Sequence, residues 1–379
     1  MSELNPLNDL EAPVVFEEAI AANGMKIAFA TLNVPKALNA LNLEMIRLLA
    51  PQLKAWEQQE DIALVVLKGS GEKAFCAGGD VVSLYKAMVS GDEAGYIETF
   101  FSEEYALDYH IHCYEKPILL WGNGIIMGGG LGLMAGASHR VVTETSRIAM
   151  PEITIGLYPD VGGSYFLNKM PAGAGLFLGL TGASINAGDA KFVGLADYFV
   201  DAQRFNELVS TLLETNFGKT VALNHEKLSS VLQKLDNASA AAPKSAVKSL
   251  AVELEKLQSL NSIDAQVEFI SSLDSTENKW LSKAQASLKH GSPLSAVVIS
   301  EQIKRTKGLS LKACFLQELS MSVTCGKFGE FQEGVRALLI DKDNSPNWRF
   351  KNINDVDLSV VEQFFQDRWA DGNHPLASL

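Results

Sequence analysis

Residues 117–138 read PILLWGNGIIMGGGLGLMAGAS, a stretch without a single charged side chain. Its length would suffice for a membrane-spanning helix, but its many glycines weaken a continuous helix. A buried strand over 117–121, a glycine turn and an apolar helix over about 129–137 fit the pattern better. The stretch therefore predicts a strand–turn–helix unit in the core of an α/β protein.

The same alternation continues on both sides of this stretch. A helix begins after Asn42, a candidate N-cap, because apolar side chains recur at helical spacing from Leu43 to Trp56. Further strands are predicted over residues 14–18, 25–32, 62–67 and 140–143, and a turn at Asn23 and Gly24 would join the first two as a hairpin. Beyond about residue 216 the sequence is rich in Leu, Ala, Lys and Glu and has few strand signals. We predict an α/β core over residues 1–216 that holds the active site, and a helical C-terminal region over residues 217–379.

The composition of the chain indicates which partners and which kinds of site are not expected. The chain has 379 residues, is 47% hydrophobic and carries a net charge of -13, which opposes binding to nucleic acid or to anionic membranes. We therefore expect neither partner. The first twenty residues contain acids but no Lys or Arg, so a leader peptide is not expected and a cytoplasmic location is predicted. The scattered cysteines lack CxxC spacing, and no metal site is expected.

Two glycine turns follow predicted strands, one at Gly78-Gly79 and one at Gly128-Gly129-Gly130. Glycine lets a ligand approach the main-chain N–H groups, and the second turn opens a helix whose N-terminus favours negative charge. Together the turns could form an oxyanion hole with two donors. Tight main-chain packing explains the glycines equally well.

The second turn also has a rival interpretation as a dinucleotide site. Residues 130–135 match the pattern G-x-G-x-x-A, and Glu152 follows about twenty residues later. The match is incomplete because residues 122–129 separate the strand from the first of these glycines, and Glu152 lies beside Pro151 instead of ending a second strand. A nicotinamide-dependent oxidoreductase is therefore the less favoured alternative.

Two acids, Glu152 and Asp160, interrupt an otherwise apolar passage over residues 150–163. A carboxylate among apolar side chains is costly to ionise, so its pKa tends to rise toward the range that suits proton transfer. Glu152 is thus a candidate base or nucleophile, although a helix-capping or ion-paired acid would give the same pattern. His110, His112 and His139 lack the partners of a catalytic triad, so structural roles are favoured for them.

Several motifs together resemble the crotonase superfamily, the enoyl-coenzyme A hydratases and isomerases. They are PKALNAL at 35–41, KAFCAGGDV at 73–81, MGGGLGL at 127–133 and MPEITIGLYPDVGGSYFL at 150–167. FFSEEY at 100–105 and GVRALLIDKD at 334–343 make the chain more similar to the 3-hydroxyisobutyryl-coenzyme A hydrolases within that superfamily. The resemblance implies a crotonase-type spiral of β-β-α units, followed by a helical C-terminal region that closes over the site.

The resemblance also implies roles for single residues. Gly79 and Gly129 would donate their amide N–H groups to the thioester oxygen, while Glu152 would act at the reacting carbon. Asp160 would lie close by as a further catalytic residue that orients the water or hydrogen-bonds the substrate hydroxyl. The implied substrate-binding residues are Glu104 at the acyl group, Lys36, Ala37 and Leu38 in the loop that coenzyme A would cross, and Gly78. Coenzyme A is part of the substrate, so no separate cofactor is expected. Related folds form trimers or pairs of trimers, which makes a homo-oligomer a further expectation.

One departure from the hydratases favours hydrolysis. Hydratases that resemble this chain carry a second glutamate where this sequence has Gly132, and addition of water to a double bond needs two acids. We therefore expect hydrolysis of a short 3-hydroxyacyl-coenzyme A thioester, such as 3-hydroxyisobutyryl-coenzyme A in valine breakdown. A hydratase or isomerase on the same scaffold is the main alternative, and a non-enzymatic acyl-coenzyme A binding module is a weaker one.

Overall fold

The computed structural model describes residues 4–92, 94–369 and 372–379. Within these ranges the chain forms both extended and helical segments. The strands are β1 (Asn5–Pro6), β2 (Val14–Ile20), β3 (Lys26–Leu32), β4 (Ile62–Gly69), β5 (Ala74–Cys76), β6 (Ile118–Gly122), β7 (Ile125–Met127), β8 (His139–Val142), β9 (Arg147–Ala149) and β10 (Tyr198–Phe199).

Helices dominate the second half of the chain. The α-helices are α1 (Leu43–Gln58), α2 (Val81–Val89), α3 (Tyr96–Cys113), α4 (Gly129–Gly136), α5 (Gly163–Phe166), α6 (Ala174–Thr181), α7 (Ala187–Phe192), α8 (Phe205–Glu214), α9 (Val221–Ala238), α10 (Ala246–Ser249), α11 (Ala251–Gln258), α12 (Ile263–Ser272), α13 (Lys279–His290), α14 (Pro293–Arg305), α15 (Leu311–Phe328), α16 (Glu330–Val335) and α17 (Leu358–Phe365). Short 3₁₀-helices span Pro35–Ala37, Glu152–Ile155, Leu167–Lys169, Ala202–Arg204 and Ile353–Asp355, and a π-helix spans Arg336–Ile340.

The chain packs into two compact units that alternate along the sequence. Unit 1 comprises the described residues of Met1–Gly79, His110–Ile148 and Ile185–Ser245. Unit 2 comprises those of Asp80–Tyr109, Ala149–Ser184 and Ala246–Leu379. Helix α9 belongs to unit 1 although it follows residue 216. The predicted boundary at residue 216 marks a change in sequence composition, and it does not coincide with the end of either packing unit. The division into two domains at this residue stays a prediction.

Unit 1 is built on two sheets. The larger has the order β1-β2-β3-β4-β6-β8-β10, and the smaller has the order β5-β7-β9. Strands β2 and β3 form the predicted antiparallel hairpin, whereas β3, β4, β6, β8 and β10 run parallel. Consecutive strands alternate between the two sheets. The first strand of each pair lies in the larger sheet and the second in the smaller sheet, and the pairs are β4 with β5, β6 with β7 and β8 with β9. This repeated step is the unit of a β-β-α spiral.

Apolar side chains of the larger sheet form the core of unit 1. Phe29, Val66 and Leu119 are buried in one cluster with Leu212 and Leu232, which come from helices α8 and α9. Helix α1 presents its apolar stripe inward, as its helical spacing predicts, and the Asn42 side chain accepts a hydrogen bond from the Met45 N–H.

The stretch 117–138 contains the predicted strand as β6 and the predicted helix as α4, and its charge-free sequence reflects burial inside unit 1. The predicted glycine turn between them also contains the short strand β7, which was not predicted. Over the ranges that the structure describes, every helix is too short or too polar to cross a bilayer. The expectations of no membrane and no nucleic-acid partner stay predictions.

Unit 2 is mainly helical and surrounds the 3₁₀-helix at residues 152–155. Helix α16 approaches this turn so closely that a side chain at Gly334 would place its Cβ 2.3 Å from the Ile155 carbonyl oxygen. A Cβ at Gly156 would lie 2.4 Å from the Glu330 carbonyl oxygen. The fold of unit 2 thus fixes the main chain around Glu152 by direct contact with another helix.

Candidate active site

The two glycine turns lie side by side in unit 1. We call residues 77–79 the first corner and residues 127–130 the second corner. Strands β5 and β7, which lead into them, are parallel neighbours with Cys76 paired to Ile126. A Cβ on Gly130 would lie only 2.3 Å from the Cys76 carbonyl oxygen, so the main chains are in direct contact. Gly130 therefore serves tight packing, the alternative left open by the sequence.

The neighbouring amides at the corners are available to a ligand. Gly129 is the first residue of α4, and the N–H groups of a first helical turn have no partner inside the helix. Among the described residues, the turns, loops and helix caps contain no hydrogen bond from the Gly79 N–H or the Gly129 N–H to a main-chain carbonyl oxygen. Gly128 has φ 45° and ψ -123°, a conformation that a residue with a side chain rarely adopts. Two amides at adjacent corners can stabilise an oxygen that gains negative charge.

The predicted coenzyme A loop is hydrogen-bonded to the first corner. The Ala77 N–H donates to the Leu38 carbonyl oxygen at 3.1 Å, and the Leu41 N–H donates to the Gly78 carbonyl oxygen at 2.8 Å. Lys36 and Ala37 are exposed on the 3₁₀-helix of this loop. The structure therefore brings Lys36, Ala37, Leu38 and Gly78 into one neighbourhood, while their role in binding stays a prediction.

Asn39 organises this loop and was missed by the sequence reasoning. Its side chain is fully buried, and its amide nitrogen donates to the carbonyl oxygens of Ser70 and Ala74, each at 3.0 Å. Its Oδ1 accepts a hydrogen bond from the Val34 N–H at 3.0 Å. Asn39 also has a φ of 55°. The sequence signal for Asn39 was an asparagine within a loop, because asparagine tolerates this left-handed conformation.

Glu152 lies in unit 2 as a buried carboxyl. It is only 4% exposed, and its Oε2 atom has no hydrogen-bond partner among the described residues. Burial, followed by the charge of Asp160, raises the pKa of Glu152 well above its ordinary value. The ion pairs found among the described residues do not include Glu152. The structure thus disfavours the ion-paired interpretation of this acid.

Asp160 belongs to the same group of buried acids. Tyr105 Oη and Asp160 Oδ2 lie 2.6 Å apart, at hydrogen-bond distance. Burial raises the pKa of Asp160 to about 6, while hydrogen bonds that the ionised carboxylate would accept from Tyr105 and from its own main chain act against this rise. The next residue, Val161, has a φ of 52°, which is strained for a β-branched side chain.

Two acids on α3 complete the predicted acyl end of the site and add one that was not predicted. Glu104 and Asp108 lie one helical turn apart and are both buried. Glu104 Oε1 and both carboxyl oxygens of Asp108 have no hydrogen-bond partner among the described residues. Burial is the main cause that raises the pKa of each acid, and the charge of Asp160 raises the pKa of both further. The sequence signal for Asp108 was its position four residues after Glu104, because residues at this spacing lie on the same face of a helix.

Glu318 on α15 fixes the turn that follows Asp160. Its two carboxyl oxygens accept hydrogen bonds from the N–H groups of Gly162 and Ser164, each at 2.7 Å. Burial raises the pKa of Glu318 to about 8, although these two hydrogen bonds lower it. More than 150 residues separate Glu318 from this turn, so no local pattern in the sequence could reveal the contact.

Comparison with known proteins identifies the family. Residues 27–365 match the family described as enoyl-CoA hydratase/isomerase. The chain belongs to this family. It is 38% identical over 90% of its length to "3-hydroxyisobutyryl-CoA hydrolase, mitochondrial" of Danio rerio, covering 87% of that protein. It is 36% identical over 89% of its length to the Homo sapiens protein of the same name, covering 85% of it.

Solved structures of the family share the fold. An enoyl-CoA hydratase from Rhodobacter sphaeroides has a TM-score of 0.81 and 31% identity, with 94% of this chain and 98% of that chain covered. A carnitinyl-CoA dehydratase from Mycobacterium thermoresistibile has a TM-score of 0.82 and 30% identity, with coverage of 95% and 97%. The predicted crotonase-type α/β fold with a helical C-terminal region is confirmed, as is the resemblance to the hydrolases.

The predicted cytoplasmic location is wrong. The family members named as hydrolases are named as mitochondrial proteins, which points to mitochondria. The prediction relied on the acidic first twenty residues, and their charge does not determine the compartment of the folded enzyme. An acyl-coenzyme A substrate, by contrast, is consistent with the family.

The remaining site predictions for this family member have mixed outcomes. His110 and His139 have the structural roles expected, since His110 Nε2 lies 3.0 Å from Glu57 Oε2 and His139 Nε2 lies 3.0 Å from Ser229 Oγ. Glu152 begins a 3₁₀-helix instead of ending a strand, which disfavours the dinucleotide interpretation. Within the described ranges no three His, Cys, Asp or Glu side chains are grouped to hold a metal ion, and the expectation of no metal stays a prediction.

Proposed function

We propose that the protein hydrolyses 3-hydroxyisobutyryl-coenzyme A to 3-hydroxyisobutyrate and coenzyme A. The observation that carries this proposal is the identity of 36–38%, over nearly the whole chain, to proteins named for that activity. Two further features support it: a pair of amides at adjacent glycine corners, and a buried glutamate without an ion pair among the described residues.

In the proposed reaction, Gly79 and Gly129 bind the oxygen of the thioester carbonyl and stabilise the charge that develops there. Removal of one such donor costs about 100- to 1000-fold in rate. The Glu152 carboxylate either attacks the carbonyl carbon, which expels the coenzyme A thiolate and leaves a mixed anhydride for water to open, or removes a proton from the attacking water. A raised pKa makes the ionised Glu152 a stronger base and nucleophile than an exposed glutamate.

The other predicted site residues have supporting roles in this proposal. Glu104 recognises the 3-hydroxyl of the substrate, and Lys36 contacts the nucleotide phosphates from the loop over residues 35–41. Asp160 is a catalytic residue that either orients the attacking water or hydrogen-bonds the substrate hydroxyl. We keep the predictions that coenzyme A enters only as part of the substrate, that the reaction serves valine breakdown and that the protein forms a homo-oligomer.

An enoyl-coenzyme A hydratase is the second candidate, because the two solved folds described above belong to proteins named as a hydratase and a dehydratase. Gly132, in place of a second glutamate, weighs against it, since a glycine cannot take part in proton transfer. Loss of the enoyl absorbance without release of thiol would support hydration.

A thiol-release assay over a panel of short acyl-coenzyme A thioesters tests the proposal. We expect the highest kcat/KM with 3-hydroxyisobutyryl-coenzyme A, and we expect Glu152→Gln to lower kcat by about 100-fold or more. Glu330→Gln is the matched control, because Glu330 is also buried but accepts hydrogen bonds from Ser292 and Arg349. Equal losses in both variants, or no thiol release with any thioester, would contradict the proposal.

A further inference from the structure

Three buried hydroxyl groups link Asp160 to the main chain of α15 within unit 2. Asp160 Oδ2 and Tyr105 Oη lie 2.6 Å apart, and Tyr105 Oη and Ser322 Oγ also lie 2.6 Å apart. Ser322 Oγ lies 2.7 Å from Tyr158 Oη, which lies 2.7 Å from the Glu318 carbonyl oxygen. Tyr105, Tyr158 and Ser322 are fully buried. We call these three residues the hydroxyl chain.

The protons of the hydroxyl chain can be counted. Each hydroxyl carries one proton, so the chain supplies three protons, whereas it makes four O···O contacts of hydrogen-bond length. The Glu318 carbonyl oxygen at the far end can only accept. If Asp160 is ionised, it too can only accept, and one contact of 2.6–2.7 Å has no proton between its oxygens. A buried contact between two lone pairs is unfavourable.

We propose that Asp160 carries the fourth proton, and that Tyr105, Ser322 and Tyr158 are positioning residues that hold it there. Asp160 then donates to Tyr105, Tyr105 donates to Ser322, Ser322 donates to Tyr158, and Tyr158 donates to the Glu318 carbonyl oxygen. Every contact has one proton, and all four bonds run in one direction. Ionisation of Asp160 would break one of them.

Burial, the largest cause for Asp160, acts in the same direction as the proton count because it raises the pKa of this carboxyl. The groups that interact with its charge are the acids Glu104 and Asp108 of α3, Glu152, and Glu318 and Cys325 of α15, together with the two tyrosines of the hydroxyl chain. Burial raises the pKa of Asp160 to about 6 even against a hydrogen bond donated by Tyr105. When Tyr105 donates to Ser322 instead, that opposing bond is absent and Asp160 keeps its proton to higher pH.

A neutral Asp160 has a consequence for the proposed hydrolysis, on which this step rests. The reaction needs an ionised Glu152 and creates a negative oxygen, and a second carboxylate beside them would repel both charges. The hydroxyl chain removes that charge while Asp160 can still accept a hydrogen bond from the substrate. Activity is then expected to fall as pH rises through the pKa of Asp160.

Three single variants test the proton count because they shift the pKa of Asp160 in different directions. Ser322→Ala leaves two contacts, each with a tyrosine proton, so Tyr105 can donate to an ionised Asp160. Tyr158→Phe likewise leaves two contacts and two hydroxyl protons. Both variants should move the alkaline limb of the kcat profile to lower pH by about one unit, the equivalent of one hydrogen bond.

Tyr105→Phe removes the only side-chain partner of Asp160 among the described residues and should move the limb to higher pH. Shifts of the same sign in all three variants would overturn the proposal.

Infrared spectroscopy gives a second readout that requires no substrate. The wild-type protein minus Asp160→Asn should show a carboxylic-acid C=O band, and in the Ser322→Ala background this band should titrate at lower pH. No band difference between wild type and Asp160→Asn at neutral pH would refute the protonated Asp160. Because the band does not depend on turnover, this result decides the proposal even if the thiol-release assay rejects the hydrolase function.

Discussion

Gly130 determines how closely the two corners approach. Alanine is the better helix former by about 1 kcal/mol, so helix propensity alone predicts that Gly130→Ala stabilises α4. The added Cβ, however, would lie 2.3 Å from the Cys76 carbonyl oxygen, and the main chain cannot rotate away as a side chain can. Overpacking of this kind costs about 1–3 kcal/mol. We therefore expect a lower free energy of unfolding and slower thiol release, measured by urea denaturation and by the assay above.

Gly308→Ala is the control for Gly130→Ala. Gly308 is exposed, and a Cβ added there would meet no atom within 4 Å, but the residue has a φ of 82°. The variant should lose about 1 kcal/mol from the left-handed conformation and keep its activity. A Gly130→Ala protein that is more stable than wild type would show that the corners can separate without cost.

Single residues differ in how far the sequence reveals them. Glu152 and Asp160 could be predicted because each acid interrupts a local apolar passage. Ser322 and Glu318 could not, because their partners lie 154 to 217 residues away and both residues occupy an ordinary helical pattern. Burial of a polar group is a property of the folded chain, and only the packing of α3 and α15 creates it.

Among the helices and strands, α1 shows how much a capping residue that is readable from the sequence contributes to stability. The Asn42 side chain accepts a hydrogen bond from the Met45 N–H at 2.9 Å. Asn42→Ala leaves that N–H without its cap and should lower the free energy of unfolding by about 1 kcal/mol. Asn42→Asp keeps the acceptor and places a negative charge at the helix N-terminus, so it should be nearly neutral. Urea denaturation of both variants measures the difference, and equal losses would mean that the cap contributes nothing.

Long elements were predicted more completely than short ones. Helix α1, the hairpin of β2 and β3, and the pair of β6 and α4 each contain enough residues for periodicity or composition to identify them. Strands β9 and β10 have only three and two residues, too few for any period to appear. The alternation of strands between two sheets also leaves no repeat in the sequence, because it depends on where each short strand finds a partner.

For the whole molecule, the buried acids of unit 2 determine how stability depends on pH. Burial raises the pKa of Glu318 to about 8, and burial also raises the pKa of Glu104 and of Asp108. In the unfolded chain these carboxyls lose their protons near pH 4. Between pH 7 and 8 the folded protein therefore binds more protons than the unfolded chain.

That difference gives the sign of the expected pH dependence. Stability falls with rising pH wherever the folded state binds more protons, by about 1.4 kcal/mol per pH unit for each proton. Burial lowers the pKa of the half-buried His112 and of the buried His139 to about 4, so between pH 7 and 8 they are largely neutral in both states and contribute little. Urea denaturation at pH 7 and pH 8 should show the decrease, and Glu318→Gln should reduce its slope by up to about one proton. A free energy of unfolding that stays constant or increases over this interval would mean that these carboxyls are already ionised in the folded protein, and it would also remove the electrostatic basis for a protonated Asp160.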